Sequence, residues 1–161
     1  MSDRQREFRN ALGCFATGVA VATTAGPEGP VGLTINSFAS VSLDPMLVLW
    51  SIDKSSDRYR LFKAAAHFGL CVLDDGGQAL ATRLSRKGGG TIAEDIAKSG
   101  KGGVPVLRHA MAHFECAAEA RHDAGDHVIL VGRVLEFDYR SHGHPLVYYR
   151  GRYRALSAPD G

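Results

Sequence analysis

Short runs of β-branched and apolar residues recur along this 161-residue chain, and only three stretches between them carry helical spacing. No alternation of strand and helix is present. A parallel sheet of βαβ units is therefore excluded, and a mainly β, antiparallel barrel with a few flanking helices is expected. The clearest run is residues 46–50, Met-Leu-Val-Leu-Trp, which follows Asp44-Pro45, a breaker that stays out of central strands. Residues 18–24, 31–35, 67–73, 113–121, 127–137, 145–149 and 152–156 read as further strands. Turn chemistry separates them: Gly-Pro-Glu-Gly-Pro at 26–30, Ala124-Gly125-Asp126, and Ser-His-Gly-His-Pro at 141–145.

Alternation along 113–121 puts Phe114, Cys116, Ala118 and Ala120 on one face, with His113, Glu115, Glu119 and Arg121 on the other. Three helices are expected. The first spans 3–13, opened by a capping box at Ser2-Asp3-Arg4-Gln5 and carrying Phe8, Leu12 and Phe15 at helical spacing. The second spans 56–66, with Ser55 or Ser56 as N-cap, and the third, weaker in pattern, spans 78–86. Residues 87–105 turn rich in Gly, Lys and Ser and read as one long loop with a short helical insert near 91–98. Residues 157–161 read as an unstructured tail.

A chain of this length is most simply one domain, here 1–161, and needs no disulfide or metal staple to close a core. Its net charge of +2 is too mild to imply a nucleic-acid partner. Cys14, Cys71 and Cys116 are odd in number and set among apolar residues, so buried free thiols are expected rather than disulfides or a thiolate zinc site. The opening MSDRQREFRN has no apolar signal core and nothing reaches the length of a membrane span, so a soluble cytoplasmic protein is expected.

One stretch, 32–58, concentrates the candidate chemistry. Thr34, Asn36 and Ser37 offer short polar side chains suited to a flat, hydrogen-bonding ring, or serve only as strand-end turn chemistry. Lys54-Ser55-Ser56 at the expected helix start would attract an anion through free amides and a full positive charge. His127, after Gly-Asp at a strand start, sits at a barrel rim or plainly on the surface.

Other chemistries are weaker. His109 and His113, and His142 and His144, are not completed as metal sites by any carboxylate or Cys spacing, so no metal is expected. Neither GxGxxG nor GxxxxGK[ST] occurs, which argues against an enfolded dinucleotide or a phosphate loop, and no GxSxG elbow is present. The run Tyr149-Arg150-Gly151-Arg152-Tyr153-Arg154 alternates Arg150, Arg152 and Arg154 against Tyr149 and Tyr153. Such a face suits a single-strand nucleic-acid binder, a nucleotide phosphate, or only water.

Four collinear blocks together resemble the short-chain flavin reductases, the reductase components of two-component flavin-dependent monooxygenases. They are FRNALGCFATGVAVATT at 8–24, GLTINSFASVSLDPMLVLWSIDKSS at 32–56, FECAAEARHDAGDHVILVGRV at 114–134 and PLVYYRGRYRAL at 145–156. The resemblance implies an FMN-binding split β-barrel that is usually a homodimer. It implies a cytoplasmic enzyme carrying hydride from NADH or NADPH to FMN or FAD for a separate monooxygenase, without nucleic acid or membrane.

Carried over by residue, Thr34, Asn36 and Ser37 resemble the family's flavin-ring contacts. Ser51, Asp53, Lys54, Ser55 and Ser56 resemble its ribityl and phosphate contacts. His127, as the catalytic candidate, and Tyr148, Tyr149 and Arg150 resemble the part that receives the nicotinamide nucleotide. Residues 88–103 depart most from the family's pattern and leave FMN against FAD open. A tight FMN-binding electron carrier and a single-strand binder stand as the alternative functions.

Overall fold

The capping box at the N-terminus forms as its residues require. Ser2 Oγ accepts from the Gln5 N–H at 3.2 Å, and Gln5 Oε1 accepts from the Ser2 N–H at 2.7 Å, which starts helix α1 (Asp3–Leu12). The computed structural model describes residues 2–156, so the tail at 157–161 lies outside the described residues. Strands β1 (Thr17–Gly18), β2 (Ala20–Gly26), β3 (Gly29–Ile35), β4 (Ala39–Leu43) and β5 (Met46–Asp53) follow. Helix α2 (Tyr59–Ala64), strand β6 (His67–Val72) and helix α3 (Gln78–Leu84) come next. A 3-10 turn at Glu94–Ile96 leads into the small hairpin β7 (Ala97–Ser99) and β8 (Pro105–Leu107). The long ladder β9 (Ala112–Ala124) and β10 (His127–Tyr139) precedes β11 (Leu146–Tyr149) and β12 (Arg152–Ala155).

Seven strands form one sheet in the order β3-β2-β6-β9-β10-β5-β4, antiparallel throughout. A second sheet runs β1-β11-β12. Ala20, Ala22, Ile35, Trp50, Phe68, Leu70, Cys116 and Leu130, drawn from β2, β3, β5, β6, β9 and β10, meet in a single core cluster. Only a strongly curled sheet brings β3, at one end, and β5, next to the other end, to one core, and this is the mainly β split-barrel architecture. Trp50, fully buried, sits edge-on to Phe62 and Phe68 at its centre. On the outer face Val19, Val21, Cys71 and Leu73 form a second core with Ala81 and Leu84 of α3 and with Val106 and Leu107. Strand β2 is therefore buried on both sides, and its thread of Ala and Val residues is what that position demands.

Several expectations are corrected. Helix α2 starts at Tyr59, not 56, and Arg58 at its N-cap makes no side-chain cap bond. The Ser55 N–H is taken by Asp53 Oδ1 at 2.7 Å, so a local turn replaces the expected first helical turn. Strand β4, in the serine-bearing segment before Asp44-Pro45, was not expected at all. The helical insert at 91–98 is one 3-10 turn followed by a strand.

Glu115, on the face opposite Cys116, is only 5% exposed, because the 97–107 hairpin folds over it and the Lys101 N–H donates to its Oε2. Residues 149–154 are not one alternating strand. Arg150 has φ 48° and turns the chain, so that Tyr149 pairs with Arg152 and Tyr148 with Tyr153. The Arg/Tyr stripe is thereby folded back on itself. Cys71 and Cys116 are buried, their thiols pushed up to about 12 chiefly by desolvation, whereas Cys14 is exposed. No helix among the described residues is long and apolar enough to cross a membrane.

Candidate functional site

Period-two alternation builds the site on β5. Trp50 and Ile52 enter the barrel core, and Ser51 and Asp53, between and beyond them, border a cleft. On β3 Ile35 does the same for its neighbours Thr34 and Asn36. The cleft has a volume of about 460 Å³. Along one wall run Leu33, Thr34, Ile35, Asn36 and Ser37; Ser51, Asp53, Ser55 and Ser56 form another; His127 stands at the rim. Thus eight of the residues singled out from the sequence (Thr34, Asn36, Ser37, Ser51, Asp53, Ser55, Ser56 and His127) meet in one place.

Their hydrogen bonds separate scaffold from free chemistry. Thr34 Oγ1 donates to Ala81 O at 2.7 Å and ties β3 to helix α3. Ser37 Oγ accepts from the Ser51 N–H at 3.0 Å and donates to Ser51 O at 3.3 Å, clasping the strand end to β5. The Asn36 side chain is exposed and makes no hydrogen bond among the described residues, so both its donor and its acceptor face outward unspent. Hydrogen bonds from Ser55 hold the Asp53 carboxyl below the usual range, and the nearby His127 adds to this. His127 Nδ1 lies 2.7 Å from Asp126 Oδ1.

Two predicted groups are elsewhere. The Lys54 ammonium is 2.8 Å from Asp123 Oδ1 and donates to Gly125 O at 2.8 Å, and Lys54 is not among the residues bordering the cleft. Tyr148, Tyr149 and Arg150 belong to the β1-β11-β12 sheet, where Tyr148 packs edge-on to Tyr153 and Arg150 lies over the Tyr149 ring.

The far end of the cleft is formed instead by Asp57, Arg58, Ser85 and Lys87, which the sequence reading passed over. Arg58 is buried and donates to Gly32 O (3.0 Å), Leu84 O (2.6 Å), Arg86 O (2.5 Å) and Asp57 Oδ1 (2.9 Å). Asp57 Oδ2 accepts from the Gly88 N–H at 2.7 Å, and this bond is the leading reason its carboxyl lies below the usual range. Together they clamp the chain leaving α3 against β3. Lys87, inside that clamped segment, is exposed and has no ionic or hydrogen-bond partner among the described residues. Only its place at the head of Lys-Gly-Gly-Gly marks it in the sequence, and that reads as loop.

The arrangement is an open trough with an unspent amide on one wall, a histidine at the rim and a free ammonium at the end. It fits a flat, hydrogen-bonding ring with an anionic tail. Among the described residues no group of three or more His, Cys, Asp or Glu side chains is placed to hold a metal ion.

Comparison with known proteins points the same way. Residues 12–157 match the family model described as a flavin reductase like domain. The FMN reductase (NADH) SmoA of Agrobacterium fabrum is 48% identical over 155 residues, which cover 96% of this chain and 88% of that protein. The reductase component of the flavin-dependent trigonelline monooxygenase of Acinetobacter baylyi is 40% identical over 149 residues. That match covers 92% of this chain and 48% of the relative, so the chain spans about half of it. Among solved structures, the NADH:FAD oxidoreductase SgcE6 of Streptomyces globisporus superposes with a TM-score of 0.89 at 33% identity, over 100% of this chain and 98% of that one.

Proposed function

The chain belongs to the flavin reductase like family, and on that premise we propose that its cleft binds FMN or FAD beside NADH and that the reduced flavin is passed to a separate monooxygenase. The observation that carries this reading is the convergence of the free Asn36 amide, the rim His127 and the unpaired Lys87 on one cleft of flavin size. The flavin, when bound, supplies the hydride-accepting ring. The chain's own work is to hold two flat rings face to face.

Asn36 hydrogen-bonds the ring edge. Thr34 and Ser37, their hydroxyls engaged by Ala81 and Ser51, keep that wall in place. Ser55 and Ser56 meet the ribityl chain, and Lys87 meets the phosphate. His127 faces the nicotinamide from the rim. Proximity and orientation supply the acceleration, so no buried acid–base pair is required. Openness suits a flavin that arrives and leaves.

The test is an anaerobic assay of NADH and of NADPH against FMN, FAD and riboflavin. NADH oxidation is expected only when flavin is added. Oxidation without added flavin by a protein that stays yellow through dialysis would identify an electron carrier instead. No oxidation and no flavin binding would remove the reading entirely.

A homodimer is part of the proposal. Leu43 is 92% exposed on edge strand β4, and Val41, Met46, Leu135 and Phe137 on β4, β5 and β10 are also exposed. An uncovered edge strand flanked by apolar side chains is a liability unless another chain lies over it. Sedimentation is expected to give a dimer for the parent protein and a monomer for Leu43→Glu. A monomeric parent would refute this part.

A further inference from the structure

His127 owes its place at the rim to a two-residue turn, Gly125-Asp126, at the tip of the β9–β10 hairpin, where Ala124 pairs with His127. This tip is exposed and no core side chain anchors it. Lys54 holds it. The Lys54 N–H donates to Asp126 O at 2.9 Å. Its ammonium donates to Gly125 O at 2.8 Å and lies 2.8 Å from Asp123 Oδ1. One residue just past the end of β5 therefore grips the hairpin tip at three points, Asp123, Gly125 and Asp126. Asp126 Oδ1, 2.7 Å from His127 Nδ1, then keeps a proton on that nitrogen and leaves Nε2 as the atom available to a ligand.

We propose that Lys54 is a positioning residue for the nicotinamide side of the reaction: with Asp126 it fixes the His127 ring toward the dihydronicotinamide, and it does not hold the flavin phosphate. The proposal rests on the reading of His127 given above. The Lys54–Asp123 pair is exposed, Asp123 being 83% accessible, so its contribution to folding stability is small and its effect is geometric. That separates it from a structural role. A turn that merely stabilised the fold would move the melting temperature, whereas a turn that aims a side chain moves the Michaelis constant of one substrate.

The experiment measures steady-state kinetics for NADH, FMN and riboflavin, with melting temperatures as a folding check. Lys54→Met is expected to raise KM for NADH about tenfold while KM for FMN and for riboflavin stay within about twofold, since misplacing one group costs the substrate it meets. Asp126→Ala is expected to do the same. Asp126→Asn, which keeps an oxygen to accept the Nδ1 proton, is expected to recover most of the loss. In a His127→Ala background, Lys54→Met is expected to add less than about twofold, because residues acting through one group are not additive.

A rise in KM for FMN but not riboflavin would return Lys54 to the phosphate and overturn the proposal. Unchanged NADH kinetics in Lys54→Met and Asp126→Ala, with His127→Ala impaired, would overturn the positioning alone. His127→Ala with unchanged NADH kinetics would overturn both the proposal and the reading beneath it.

Discussion

Arg58→Ala is expected to lower folding stability by about 3–5 kcal/mol, the range for breaking a buried charged network from one side. The guanidinium is 7% exposed and spends four of its donors on Gly32 O, Leu84 O, Arg86 O and Asp57 Oδ1. Its removal leaves three carbonyls and a carboxylate without their donor. Two of those carbonyls lie at and beyond the end of α3, where a cation also opposes the helix dipole. Urea denaturation measures the loss as a fall in midpoint. Arg58→Lys is expected to recover only a minor part, because one ammonium lacks the planar fork that reaches both β3 and the α3 exit. Asp57→Asn is the milder control, since Asp57 is 29% exposed and its amide still accepts from Gly88. A midpoint unchanged in Arg58→Ala would show the network to be ornamental.

The same residue shows where the sequence stops being legible. The barrel was readable because short β-branched and apolar runs recur at short intervals with turn chemistry between them and only three helical stretches. The cleft wall was marked by the short polar side chains of Thr34, Asn36 and Ser37 and by the resemblance of residues 32–56 to the flavin reductases. Arg58 was not readable. Three of its four partners are 26 and 28 residues away in sequence and are backbone carbonyls, which carry no residue-type signature.

The burial of Glu115 was hidden for a related reason. Alternation shows which side of a strand a residue is on, but not that the 97–107 hairpin will later cover that side. The helix start expected at Lys54-Ser55-Ser56 did not form there. The Asp53 carboxylate took the Ser55 N–H first, the helix began later, and the Lys54 ammonium turned to Asp123 on another strand. For Arg58 and Glu115 contacts distant in sequence decided the outcome, whereas at Ser55 a carboxylate two residues away did.

Lys87→Ala is expected to raise KM for FMN roughly tenfold, the lower end of what one charge-assisted hydrogen bond contributes to binding, and to leave riboflavin within about twofold. Elimination among the cations near the cleft singles out Lys87. Arg58 has committed four donors to the protein's own backbone and to Asp57, and Lys54 is held by Asp123 and Gly125 away from the cleft. Lys87 alone borders the cleft with its charge unspent among the described residues, and the clamp of Arg58 on Arg86 O and Asp57 on the Gly88 N–H fixes the backbone on both sides of it. A tethered backbone with a free side chain limits the ordering cost of gripping a dianion. Because the contact is exposed, the gap between FMN and riboflavin should narrow as salt is raised, and Lys87→Arg should keep most of it. Equal losses for FMN and riboflavin would place Lys87 against the ring or ribityl chain rather than the phosphate, and would leave the anionic tail without an uncommitted cation in the cleft among the described residues.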